Sequence, residues 1–439
     1  MGRHGRRPAR VAGAIIGSAI ALGGVGPQLA SGATPRSLPP AGNPERYVLA
    51  DDPALAAADD AAITALTTQP GPTGAVRAPL ASLGSALGDP AGSAQPLRPV
   101  GGELDGLDPA AVAFGYRFSR ADTADDRWKP QGITTSEDAG SPVFTPGGLL
   151  GGTRRMALVS WAGTYPDAPA AQRSLARISA VDLGPSLAST SAAPACLNMV
   201  LVRATGTGAG ATIEPVRDHT GGIAGVGRWL YAVDSDASGG TGLRVYDLGR
   251  VLRMTGGNGG VGCSTASCTA LATRYAIPEV RYYRAAARTR SFRFSWMSVD
   301  HTEGGRKLTL GEFRPNATAA RPGRVLSFAL GADDLPLAPG GQARALAAWK
   351  LIPNRIQGGV FTSKGVLAAS QSATAADQRP AHGPALLRLS TGAKAARPLP
   401  WPQGPEGLAL GPGSGVLHSV TERDDHKVLF GVRAARLGR

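Results

Sequence analysis

Strong catalytic signatures are missing from this chain. It has no G-x-S-x-G elbow, no H-E-x-x-H, no Walker loop and no paired Cys-x2-Cys, which removes the signatures of α/β-hydrolases, zincins, P-loop enzymes and zinc ribbons. The six histidines are isolated from one another, so any triad would have to be assembled from residues distant in sequence. Aromatic residues make up only 5%, and none interleave with a basic run. The net charge of +14 is carried by arginines scattered through the chain, which describes a solvated surface and no nucleic-acid stripe. Past residue 33 no apolar stretch is long enough to cross a bilayer.

Turn residues are abundant instead, with 61 Gly and 35 Pro, a density expected of many short strands. The chain opens on Arg3, Arg6, Arg7 and Arg10, then an apolar run from Val11 to Val25, then the small residues Ser31-Gly32-Ala33. That is the pattern of an export signal, and ordinary secretion is expected. Its removal takes four arginines and no acid, which lowers the net charge from +14 to +10. The three cysteines fit an oxidising destination: Cys263 and Cys268, in CSTASC, are spaced for a short disulfide loop, and Cys196 is left as a buried thiol. Residues 34 to 110 are rich in Ala, Pro and Gly without a sustained period, and read as a flexible, mostly extended arm with one short helix at Asp52 to Leu66.

The organising stretch is Thr220 to Leu248, TGGIAGVGRWLYAVDSDASGGTGLRVYDL. Trp229 to Val233 is apolar on both faces, which suits a strand covered on both sides. Ser235 to Gly242 supplies turn residues, and Leu243 to Leu248 runs extended again. A fourth strand is expected at Tyr275 to Val280. The outline recurs around Gln131-Gly132-Ile133, Phe294 to Asp300, Gln357-Gly358-Gly359-Val360 and Pro405-Glu406-Gly407-Leu408. With Gly132, Gly222, Trp296, Gly358 and Gly407 as equivalents, the intervals are 90, 74, 62 and 49 residues.

Small antiparallel sheets repeated at such intervals predict an all-β chain folded as a β-propeller of five or six four-stranded blades. The expected boundaries are a signal peptide over 1–33, the arm over 34–110 and the propeller over 111–439. Ala113 to Ser119 is extended and apolar, and is expected to close the ring against the last copy.

In a propeller the starts of the innermost strands converge on the central channel. Those positions hold Gln131, His219 with Thr220, Ser295, Gln357 and Glu406. Convergent polar groups suit a bound ligand, and a carboxylate among amide oxygens suits Ca²⁺. The same groups can also bond one another and hold the ring shut. A second candidate metal loop is Asp234-Ser235-Asp236, although Ser238 and Val245 stand where a calcium loop has acids. Glu406 and Glu422 are candidates for a general acid and base if they face one cavity. The tryptophans near strand starts are core residues first and sugar platforms second.

The segments WKPQGITTS, GGIAGVGRWLYAVDS with GLRVYDL, IQGGVFTS and WPQGPEGLALGPGSGVLHSVTE resemble the secreted β-propeller proteins of filamentous actinobacteria. The likeness runs from about Trp128 to the end. More remotely the outline is similar to the six-bladed gluconolactonase and strictosidine-synthase superfamily. That resemblance implies a metal-binding channel glutamate, to which Glu406 corresponds; the superfamily's Asn and Asp ligands have no counterpart here.

Three functions follow as expectations. One is an extracellular, monomeric propeller that binds a polysaccharide or a protein at its channel mouth. Another is a metal-dependent hydrolase of lactones or phosphoesters, with Glu406 as ligand and Gln131 and Gln357 nearby. The third is an architectural surface protein.

Overall fold

Four-stranded antiparallel sheets succeed one another along the chain in the computed structural model. It describes residues 38–71, 74–89, 95–104, 106–139, 155–164, 174–184, 194–236, 239–257, 259–302, 305–371, 384–389, 397–423 and 427–437. The expected signal peptide lies outside them.

The first blade is formed by Trp128–Thr135, Arg155–Thr164, Ser174–Gly184 and Ala195–Thr205. The second joins Ile223–Val226, Trp229–Asp236, Gly239–Asp247 and Tyr275–Ala285. Phe294–Asp300, Lys307–Glu312, Gly323–Ala329 and Gln342–Leu351 make the third. Ile356–Thr362, Gly365–Ser370, Ala385–Leu389 and Arg397–Pro400 make the fourth. The fifth takes Pro405–Leu410, Val416–Thr421 and Val428–Arg433 from the C-terminal end, and Val112–Arg117 from upstream of the first blade. This last pairing closes the ring, as expected from the Ala113 segment.

The innermost strands pack side by side in a complete circle, first against second, second against third, and onward until the fifth returns to the first. The chain is therefore a five-bladed β-propeller. Of the five or six blades expected, five are found among the described residues, and Cys196 to Val202 belong to the outer strand of the first. The circle is tight enough to need glycine where backbones cross. A Cβ on Gly358 would lie 2.6 Å from the carbonyl carbon of Gly407, and one on Gly407 would lie 2.8 Å from the nitrogen of Ile133.

Each blade is apolar on both faces because each face meets a neighbour. Separate buried clusters fill the five gaps: Leu158, Ile178, Leu230 and Ile277 between the first and second blades; Val233, Leu243, Met297 and Leu310 between the second and third. Trp296, Trp349, Phe361 and Val366 lie between the third and fourth; Val360, Leu386, Leu417 and Phe430 between the fourth and fifth; Phe114, Val420, Val159 and Trp161 between the fifth and first. The tryptophans thus serve packing first: Trp161 and Trp296 are wholly buried, Trp128 and Trp401 nearly so.

Residues expected as a flexible arm are bound to the rim of the ring. Pro40 bridges to Trp349, and Val48–Asp51 fits between the outer strands of the second and third blades, pairing with both. The helix Pro53–Thr68, capped by Asp52, lies over the outer strands of the first two blades and buries Ala62, Ile63 and Leu66. Leu80–Ala81 pairs with Val251–Arg253, Gln95–Pro96 with the first blade, and Arg98–Pro99 with the closing strand. Strands of two to four residues leave no periodic trace of their own; the blade edges supply their partners. The expected helix is present, the expected disulfide joins Cys263 to Cys268, and Cys196 is a buried free thiol whose pKa burial pushes up to about 12. Among the described residues no helix is long and apolar enough to cross a membrane.

Leu49 is completely buried between the second and third blades. Leu49→Ala is expected to cost about 2–5 kcal/mol in denaturant unfolding. A change within about 0.5 kcal/mol would mean that this segment is not docked on the rim.

Candidate functional site

Where the inner strands of the first, third, fourth and fifth blades begin, their leading polar side chains meet. Pairing fixes the level: Ile356 lies opposite Ser370, and Pro405 opposite Thr421, so Gln371 and Glu422 follow the second strands at the same height as Gln357 and Glu406. Ser295 Oγ donates to Gln357 Oε1 at 3.1 Å, and Gln357 Nε2 donates to Glu406 Oε1 at 2.6 Å. Gln371 Nε2 bridges the carboxyl groups, donating to Glu406 Oε1 at 2.9 Å and Glu422 Oε1 at 2.7 Å. Gln131 Nε2 completes the chain by donating to Glu422 Oε2 at 3.1 Å. Three blades, the first, fourth and fifth, are joined by these bonds to the third.

Buried serines hold the backbone beneath. Ser160 Oγ accepts from Gly132 N and donates to Thr220 O, both at 2.8 Å, and Ser419 Oγ donates to Glu406 O and Gly407 O at 3.0 Å. The floor of the channel mouth is therefore rigid, with Gln131 and Glu406 buried and Ser295, Gln357, Gln371 and Glu422 half-buried.

Glu406 is held protonated well above the ordinary carboxyl range. Burial is the main cause, and the neighbouring Glu422 adds to it, against the opposing pull of the Gln357 and Gln371 amides. Glu406 and Glu422 share the Gln371 amide, whose Nε2 donates to an oxygen of each. The Gln371 amide fills the space between the two carboxyls, where a glycosidic bond would have to lie. With Gln371 they form one hydrogen-bonded unit at the mouth.

The second blade contributes His219, solvent-exposed yet enclosed by protein. Enclosure lowers its pKa, Glu422 pulls it up, and Arg293 of the third blade pushes it down. Its neighbour Thr220 is buried with φ +44, its Oγ1 without a partner among the described residues. A β-branched residue in the left-handed region is strained by about 1–3 kcal/mol, and such strain clusters at functional sites.

Asp234 is not available to a calcium ion. Its carboxylate accepts from Arg244 Nη2 at 3.1 Å and from Tyr282 at 2.7 Å, and the same guanidinium pairs with Asp218 and with Glu279. An arginine at the centre of three carboxylates supplies the charge that a cation would. Burial lifts Asp218 to about 7. The side chain of Asp236 lies outside the described residues, and among these no cluster of three or more His, Cys, Asp or Glu residues suited to a metal occurs.

The sequence reading missed Gln371. The signal was there in register: ASQ at the end of the fourth blade's second strand matches VTE in the fifth, so the position that holds Glu422 in one blade holds Gln371 in the other.

No family model matches the chain, and no curated protein matches it either. Among solved structures it is similar to the β-propeller domain of Cps50 (Swd1) from Myceliophteria thermophila, at 12% identity over 63% of this chain and 80% of that one, with a TM-score of 0.25. It is also similar to a glycosyl hydrolase from Bacteroides ovatus, at 10% identity over 81% of this chain and 94% of that one, with a TM-score of 0.30. Likenesses at these scores carry no argument, and the propeller stands on its own strand order and ring closure.

A carboxyl whose folded pKa is raised binds its proton more tightly in the native state. Its contribution is therefore fully present below the unfolded value of 4.5 and is lost as pH rises toward the folded one. Glu406→Gln should flatten the loss of melting temperature between pH 5 and pH 8 and raise stability at the upper end. Parallel pH profiles for parent and variant would show that Glu406 is not held protonated.

Proposed function

We propose that this chain is a secreted ligand-binding β-propeller whose channel mouth takes up a saccharide. The observation that carries this reading is the continuous run of hydrogen-bonding groups, Ser295, Gln357, Glu406, Gln371, Glu422 and Gln131, gathered from four blades at one level. Amides and carboxylates offer a fixed array of donors and acceptors, and the half-buried members retain lone pairs that sugar hydroxyls can fill. Preorganisation by the serines and glycines below lowers the ordering cost of binding. The export pattern of residues 1–33 supports an extracellular setting, where polysaccharides are met.

A metal-dependent hydrolase is the weaker reading. Calcium would need oxygen ligands, whereas amide nitrogens of Gln131, Gln357 and Gln371 face the two carboxyls, and Glu406 holds a proton. The residues as arranged do not fit a divalent cation.

Titration calorimetry of the mature chain against a panel of oligosaccharides tests the proposal. At least one sugar should bind, and Gln371→Ala should weaken it about 10- to 100-fold, the cost of removing charge-assisted hydrogen bonds worth about 1.5–3 kcal/mol. Silence across the panel, with a protein captured instead, would defeat the saccharide reading.

A further inference from the structure

We infer that the ligand of this mouth bears an anionic oxygen group, a carboxylate or a phosphate, read by a cationic collar that stands just outside the polar floor. The inference rests on the saccharide reading above and adds the charge of the sugar.

The collar follows from register. Two residues before Ser295 stands Arg293, and two before Gln357 stands Arg355. The second blade places His219 at this level: Gly221 packs against the Ser295 carbonyl, and His219 stands two residues before Gly221. Lys129 occupies the matching position of the first blade. The first, third and fourth blades therefore carry a Lys or Arg where the chain comes in to the channel, and the second a histidine whose enclosure disfavours its charged form, outside a floor that carries no basic residue.

Arg293 and Arg355 differ from the arginines that brace the blades. Arg244, Arg324, Arg228 and Arg281 are each locked to carboxylates. Arg293 and Arg355 are exposed, and among the described residues neither guanidinium is paired with a carboxylate; that of Arg293 lies over the Phe313 ring at 5.7 Å, while its backbone N–H donates to Glu312 Oε1 at 3.3 Å. Glu312, the acid closest in register to Arg293, is taken up by Arg324 at 2.9 Å and Arg314 at 2.8 Å. The backbone of Arg355 is held in the left-handed region at φ +51, where its nitrogen donates to Arg314 O at 2.8 Å and its carbonyl accepts from Gln371 N at 3.2 Å. A long side chain kept on a strained backbone whose carbonyl is tied to the Gln371 backbone nitrogen is costly unless its position is used.

The division of labour is then clear in chemical terms. Guanidinium groups bind carboxylate or phosphate oxygens through paired N–H donors. The amide and carboxyl floor binds hydroxyls. A neutral polyol would use the floor alone, and a simple anion the collar alone. An acidic sugar uses both, and its charge offsets the cationic rim.

The test compares three ligands matched in size on the mature chain: a neutral oligosaccharide, a uronate oligosaccharide and a sugar phosphate. Parent, the double variant Arg293→Ala/Arg355→Ala, and an Arg436→Ala surface control are measured at two salt concentrations. One or both acidic ligands should bind the parent at least about tenfold more tightly than the neutral one. The preference should shrink with salt and vanish in the double variant, while the control keeps it. Preference for the uronate or for the phosphate identifies the anionic group. Equal binding of all three, or a preference that survives in the double variant, overturns the collar and leaves the saccharide reading standing. If none of the three binds, both fall.

Discussion

A small sheet that is apolar on both faces has to be covered on both sides, and everything else in this molecule follows from that need. One blade cannot meet it alone. Five blades in a circle do, because each gap between neighbours becomes a closed hydrophobic layer, and the backbones of the inner strands are brought close enough to demand glycine at Gly358 and Gly407. The circle in turn forces the first polar side chain of each inner strand toward a common axis. The chemistry of the mouth is thus a by-product of packing: residues up to 291 positions apart become hydrogen-bond partners.

Closure is reinforced from outside. The ring is joined once where Val112–Arg117 completes the fifth blade, and the segment before it runs along the rim from the third blade back to the fifth. A belt of this kind ties blades together at their outer edges, where separation would begin, and it covers strand edges that would otherwise be open to another chain.

The repeat was legible in sequence because burial on both faces writes continuous apolar runs such as LYAV and MALV, and because close crossing writes glycines at equivalent places. The positions of Gln131, Gln357 and Glu406 could be named for the same reason, since they stand next to those glycines, and Ser295 because it stands next to Trp296, the equivalent position in its copy. Three things were not legible. The rim belt consists of fragments too short to show a period. Gln371 is set by a strand register that only pairing reveals. Asp234 reads like a metal ligand until Arg244, ten residues on, is seen to occupy the place of the ion.

The central claim is that the first and last blades meet at the mouth through Gln131 and Glu422. A double-mutant cycle of Gln131→Ala and Glu422→Ala, read by denaturant unfolding, measures that meeting directly. A coupling energy of about 1 kcal/mol or more is predicted for a charge-assisted bond in this setting; effects that add within about 0.3 kcal/mol would contradict it.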